Sequence, residues 1–441
     1  MMPAPSRRHL GLGAVVLFGL AYLAPLIVLG TFGVVAEASR GATAASYLLA
    51  LLAMLFTAAS YGRMAARHPV AGSAYAYVCH AIDRRIGFMV GWAVTLDYLF
   101  LPMVIWLIGA AYLHNLLPMV PMPAWVLGFI VITTALNVVG FRLAKGVNGL
   151  LMLVQALVIA AFVVLALRHV AGAGNIASLA PFSNPLTSLP AIAAGAAIAA
   201  YSFLGFDAVT TLSEECHDPV RTLPKAIWLT ALLGGVVFII VAHVAQLAHP
   251  GFAFRDESAA ANEVAQAIGG QAFVVVFVAG MVVAQFASGI AAQAAGARLI
   301  HAMARDGVLP RRLLGRLHPR FGTPAAAVLL TGVVGLLALG LTVESSTSFI
   351  NFGAFTAFTA VNLSVIATAW REGIAPRGLA LVGWYLVPLA GAAIDLALLV
   401  QLEPQAIHLG LVWLAIGGMV LVGLTRGFRR PPPSLTIEAH D

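Results

Sequence analysis

Apolar positions along this chain run in long blocks rather than alternating. Twelve blocks lie near 10–36, 42–62, 87–113, 124–142, 147–168, 190–213, 226–247, 271–295, 324–342, 348–370, 379–401 and 406–425. Most reach the roughly 18–20 residues that a helix needs to cross a hydrocarbon core of about 30 Å. Inside lipid every backbone amide and carbonyl needs an internal partner, so such blocks predict transmembrane helices. A membrane barrel would give segments of about ten residues with alternating polarity, and the chain lacks that pattern.

Two blocks are interrupted. The first contains Ala24, Pro25, Gly30, Thr31 and Gly33, and the sixth reads Tyr201-Ser202-Phe203-Leu204-Gly205-Phe206-Asp207. Proline removes an amide hydrogen and crowds the preceding turn, and glycine tolerates open backbone. An unwound stretch is therefore expected near Pro25–Gly30, with a simple proline kink as the other reading. Breaks at matching places in two halves point to an inverted-repeat transporter with its site at the midplane. Spans 1–5 (10–168) and 6–10 (190–370) would be the repeats, and 379–425 would carry two peripheral helices. Residues 1–9 and 426–441 would be a cytoplasmic N-terminus and tail.

Composition changes the picture little, but charge placement adds orientation. Of 441 residues, 61% are hydrophobic and 9% charged, too little charge to cover a soluble protein. A twelve-span count puts every basic residue except Arg40, Arg168 and Arg255 on the side of the termini. The positive-inside rule makes that side cytoplasmic. The net charge of +7 is thus a topology signal and not a nucleic-acid footprint. Arg7 and Arg8 precede an apolar stretch longer than the 7–15 residues of a signal h-region, so it reads as a span and not a cleavable signal. The tail with Pro431, Pro432 and Pro433 reads as disordered. Cys79 and Cys216 form neither a disulfide framework nor a metal set.

Carboxylates at membrane depth are costly, and a functional role is the default reading. Asp97 in span 3 and Asp207 in span 6 are the clear cases, and Asp395 in span 11 is a third. Their bland alternative is a hydrogen bond to a neighbouring helix. Asp207 follows the sixth-span break, where a helix N-terminus favours its charge and burial opposes it. It is the candidate for proton coupling. Substrate-binding candidates are Pro25, Gly30, Thr31, Asp97, Tyr201, Ser202, Gly205 and Asp207, with Tyr201 able to close over an ammonium group. Glu214 and Glu215 follow span 6 as candidates for a cytoplasmic gate; a solvated loop face is the alternative. Ser288, His243, Gln246 and Asn362 are weaker polar candidates, and packing accounts for a serine in a membrane helix equally well.

The run from Ser202 to Glu215, with Leu96-Asp97-Tyr98-Leu99-Phe100-Leu101-Pro102-Met103, Ala71-Gly72-Ser73-Ala74-Tyr75 and Asn351-Phe352-Gly353-Ala354, resembles the amino acid–polyamine–organocation (APC) superfamily. More narrowly it is similar to the bacterial putrescine importers. The resemblance runs from span 1 to span 12. It implies an all-α, twelve-span LeuT-type fold in the bacterial inner membrane, broken in spans 1 and 6. It also implies a substrate at the breaks, uptake driven by protons rather than sodium, and a cytoplasmic helix around Pro69–Tyr75. The gating aromatic and acid of span 6 would be Tyr201 and Asp207. Gly30 stands where those importers carry an aspartate, and Ala284 and Gln285 in span 8 also depart from the pattern.

The expected function is proton-coupled import of a small amine such as putrescine, with an α-amino acid as the alternative substrate. A channel would need a continuous polar pore, and an enzyme would need a paired nucleophile and base or a metal motif. The scattered polar residues and histidines supply neither, and no cofactor or metal is implied.

Overall fold

The computed structural model describes residues 10–69, 73–140, 145–213, 215–305, 307–374 and 377–432. Residues 1–9, Val70–Gly72 of the expected cytoplasmic helix, Glu214 and the end of the tail lie outside the described residues. Within them the chain is helical, and its one β-bridge pairs Leu10 with Cys216. Eleven helical stretches are long and apolar enough to cross a membrane, and Ala325–Gly340 is a shorter apolar twelfth.

The spans are numbered in chain order. Span 1 comprises Leu12–Leu23 and Ile27–Gly30 and continues as Phe32–Ala38. Spans 2 to 5 are Thr43–Arg67, Arg84–Leu116, Met122–Val139 and Lys145–Gly172, with a short helix Ser73–Ala81 between spans 2 and 3. Span 6 is an α-helix, Leu189–Ala199, followed by two 3₁₀ segments, Ala200–Phe203 and Phe206–Leu212. Spans 7 and 8 are Pro219–Ala248 and Ala261–Arg305, and span 9 is Ala325–Gly335 with the 3₁₀ turn Leu336–Gly340. Span 10 is Val343–Arg371. Span 11 passes from a π-turn, Val382–Leu386, into Val387–Leu399, and span 12 is Pro404–Leu424.

Burial separates the centre from the rim. In span 10, 78% of the apolar window is buried, against 17% in spans 5 and 12. The outward residues of those two, such as Leu153, Leu157, Val412 and Met419, are apolar and exposed, as lipid contact requires. Inside, small residues bring backbones together, the packing mode of membrane helices. Gly62 of span 2 lies on Pro224 of span 7, where an added Cβ would sit 3.1 Å from the Pro224 Cα. Gly353 of span 10 lies against the Ala93 carbonyl of span 3.

Span 8 runs past both of its expected ends, with a bend at Gly270, whose φ of 67° ends one helical direction and begins another. Its outer segment before Gly270 is helical where a loop was expected.

Candidate functional site

The break in span 1 is narrower than the sequence implied. Ala24 precedes Pro25, and a residue before proline is pushed out of the right-handed helical region. Ala24 adopts φ 46°, ψ 73°, and the helix restarts at Ile27. Gly30 is therefore helical, packed towards Ile108 and Met281; an added Cβ would lie 3.2 Å from Ile108 Cγ2. A second discontinuity falls at Thr31, with φ −113° and ψ 4°.

The span 6 break lies at Leu204–Gly205. Gly205 has φ 99°, a conformation natural to glycine. The Tyr22 ring packs directly on its Cα, in the space a Cβ would need. The two breaks are thus interlocked, aromatic on glycine. Close by, the Tyr47 hydroxyl of span 2 lies 3.3 Å from Thr31 Oγ1 and 3.2 Å from Ser202 Oγ. Thr31 and Ser202 are both buried and meet through Tyr47, so they tie spans 1, 2 and 6 together instead of lining a cavity.

Two cavities meet at Tyr22 and Asp97. The first lies at the breaks, bounded by Tyr22, Ala24, Asp97, Tyr201, Leu204 and Gln285, with Gln155 and Ser288 also facing it. The second continues past Asp97, Gly205 and Asp207 to Tyr75 of the short helix and Met303 of span 8. It leads towards the end of the molecule that carries Arg84, Arg85 and Arg305.

Asp97 and Asp207 line the second cavity, and among the described residues no Lys, Arg or His lines either one. Arg298 of span 8 is close enough to act electrostatically on Tyr22 without lining a cavity. Asp97 Oδ1 and Gln155 Oε1 are buried without hydrogen-bond partners. An unpaired buried acceptor is expensive to maintain, and both residues line the first cavity. Of the sequence candidates, Asp97, Tyr201, Gly205 and Asp207 reach the cavities; Pro25, Gly30, Thr31 and Ser202 shape the breaks. Sequence reasoning did not single out Tyr22 or Gln155, and it weighed Gln285 and Ser288 in other roles.

Both ends of the site are closed. At the basic end Leu10 N donates to Glu215 O at 3.0 Å, and His217 N donates to Leu10 O at 3.2 Å. The strand before span 1 is thereby pinned to the segment after span 6. Glu215 contributes this carbonyl, and among the described residues its carboxylate makes no ion pair. At the other end Gly33 packs against the Glu257 carbonyl of the turn Glu257–Ala259, and Phe32 stacks edge-on to Phe254 at 5.7 Å. Hydrogen bonding to Glu37 and partial burial push the Glu257 carboxyl up to about 7.

The amino acid permease profile matches residues 14–375. The chain is 40% identical over 97% of its length to the low-affinity putrescine importer of Escherichia coli (strain K12), covering 96% of that protein. It is 26% identical to a branched-chain amino acid permease of Bacillus subtilis (strain 168), covering 92% of this chain and 89% of that one. Against the human cationic amino acid transporter 4 the identity is 28%, over 83% of this chain and 59% of the relative. With its broken spans 1 and 6, the chain belongs to the amino acid permease family of the APC superfamily, multi-pass transporters of LeuT-type fold and not enzymes.

Proposed function

We propose that this protein imports a small aliphatic amine, with putrescine as the best candidate, by proton-coupled alternating access. The observation that carries the reading is the sign of the site: two carboxylates, Asp97 and Asp207, and, among the described residues, no basic side chain lining the two cavities that share Tyr22 and Asp97. A diamine would set one ammonium group against Asp97 Oδ1 and the other towards Asp207. Tyr22 and Tyr201 would flank its methylene chain, and Gln155 would accept a further N–H. In this reading Asp97 and Asp207 do the work of the aspartate that Gly30 replaces. Asp207 is also the coupling acid, since substrate and proton would compete for its oxygens.

Transport proceeds by separating one closure at a time. The Leu10–Glu215 pairing opens towards the basic side, which the positive-inside rule makes cytoplasmic, and the Gly33–Glu257 contact opens towards the other. Spans 1–5 and 6–10 would move as two related halves around the interlocked breaks.

The test is uptake of labelled putrescine into proteoliposomes under an inward proton gradient, with cadaverine, spermidine and amino acids as competitors. Saturable uptake blocked by diamines, and abolished when the gradient is collapsed, is expected. Uptake of one α-amino acid with no putrescine transport would overturn the amine reading and leave the scaffold standing.

A further inference from the structure

Asp395 is the one intramembrane acid that the cavities do not use. It is fully buried, as are its neighbours Thr57 of span 2 and Asn362 of span 10. Its Oδ2 accepts from Thr57 Oγ1 at 2.9 Å and from Asn362 Nδ2 at 3.0 Å. The second hydrogen of that amide nitrogen goes to Thr57 Oγ1, also at 3.0 Å. The knot is tight: a Cβ on Gly391, one turn before Asp395, would sit 2.7 Å from Asn362 Oδ1.

The donor and acceptor account closes except for two atoms. Threonine donates once and accepts once, both hydrogens of the amide nitrogen are used, and Oδ2 takes two donors. Asp395 Oδ1 and Asn362 Oδ1 remain, both buried and both without a partner. Each is an acceptor facing an account with no donor left. Among the described residues no Lys, Arg or His pairs with Asp395. An ionised carboxylate there would be a bare charge in a low-dielectric interior, which is far more costly than a neutral acid. A metal cation is a poor solution, because hard cations take six or more oxygens and two are free.

We propose that Asp395 is a proton-binding site outside the transport cavity. The proton sits on Oδ1 and donates to Asn362 Oδ1, while Asn362 Nδ2 donates to Oδ2, so acid and amide pair through two parallel bonds. One proton taken from solvent satisfies both orphan oxygens, and no other bond changes. The occupied site latches span 2 to spans 10 and 11. Thr57 and Tyr47 lie ten residues apart on span 2, about 15 Å along the helix, so the latch holds the helix that ties the two breaks. Other charged groups on these elements are engaged elsewhere. Arg63 donates to the Gly383 carbonyl, Arg67 pairs with Glu372, Arg371 donates to the carbonyls of His80 and Ala81, and Glu344 lies in the first turn of span 10. Tyr61, one turn beyond Thr57, packs edge-to-face with Tyr77, Phe206 and Phe358.

Infrared spectroscopy of the purified full-length protein at neutral pH, in an ester-free detergent, tests this in the region where, among protein groups, only protonated carboxylic acids absorb. The wild type should show an acid carbonyl band that shifts in heavy water and is absent from Asp395→Asn. Asn362→Leu keeps the acid but removes its amide partner, and should move the same band to higher frequency; it serves as the reading if Asp395→Asn does not fold. Spectra of the variants that match wild type in this region would overturn the proposal. So would sodium or potassium raising the melting temperature of wild type but not of Asp395→Asn, which would make the site a metal-cation site.

Discussion

At the scale of residues, sign and unpaired atoms determine what the cavity can hold. Asp97 lines a cavity that, among the described residues, has no basic side chain, and its Oδ1 has no hydrogen-bond partner. A hydrogen bond from an ammonium group to such a carboxylate is worth about 1.5–3 kcal/mol, or roughly 10- to 100-fold in affinity. Asp97→Asn should therefore weaken half-saturation for putrescine by about that factor in proteoliposome uptake, with the melting temperature of the apo protein little changed. An unaltered half-saturation would remove Asp97 from the substrate. The two carboxylates were legible because acids stand out in apolar runs. Tyr22 and Gln155 were not, because polar side chains in membrane helices commonly serve in helix–helix hydrogen bonds. Only the crossing of spans 1, 3, 5 and 6 shows that they face the same space.

At the scale of elements, proline and glycine announced the breaks but not their extent. Pro25 dictates that Ala24 leave the helix, while Gly30, which the composition made a candidate for unwinding, is helical and packs closely towards Ile108. The closures were invisible in the sequence, since the first is made by backbone and the second sets a backbone carbonyl and side chains of a distant turn against span 1. The basic-side closure offers a direct test. Leu10 and Cys216 are bridge partners, neighbouring extended strands lie about 4.7–4.9 Å apart, and a disulfide spans Cα separations of about 4.4–6.8 Å. Leu10→Cys should cross-link to Cys216 under mild oxidation and stop uptake, and a reductant should restore it. Oxidised protein that still transports at the wild-type rate would show that these ends do not separate during the cycle.

The opposite closure should respond to pH. Glu257 is held up to about 7 chiefly by its hydrogen bond to Glu37, then by burial and by the nearby charges of Glu37, Glu344 and Asp256. Because its folded value lies above the unfolded one of about 4.3, the contact stabilises fully below that lower value. The stabilisation is lost as pH rises through about 7, when two carboxylates would face each other. A cysteine placed at Ala260, itself buried, should label with a membrane-impermeant thiol reagent with a rise from pH 6 to pH 8 steeper than the rise that thiolate formation alone gives a free cysteine. Adding Glu257→Gln should bring that rise back to the free-cysteine value. The same rise with and without Glu257→Gln would mean that the acid pair does not control this side.

At the scale of the whole molecule, the spans sort by burial into a centre that carries the site and a rim that meets lipid. The rim is not passive. Span 12 is joined to span 3 by reciprocal bonds, Trp92 Nε1 to Trp413 O at 2.9 Å and Trp413 Nε1 to Trp92 O at 3.0 Å, with the rings stacked at 5.1 Å. The orientation of the assembly follows from where its arginines lie. The described basic residues cluster at the end that holds the Leu10–Glu215 closure, while Arg40 and Arg255 stand at the Gly33–Glu257 end. Loop cations resist translocation, so the positive-inside rule predicts that the richer end stays in the cytoplasm. A fluorescent protein fused after the tail should therefore fold and fluoresce in cells. Alkaline phosphatase, which needs an oxidising compartment for its disulfides, should be active when inserted in the loop between spans 5 and 6 near Ala180 and inactive when fused at the tail. The reverse pattern would invert the whole assignment: the Glu257 closure would then face the cytoplasm, and the Asp97–Asp207 cavity would open outward.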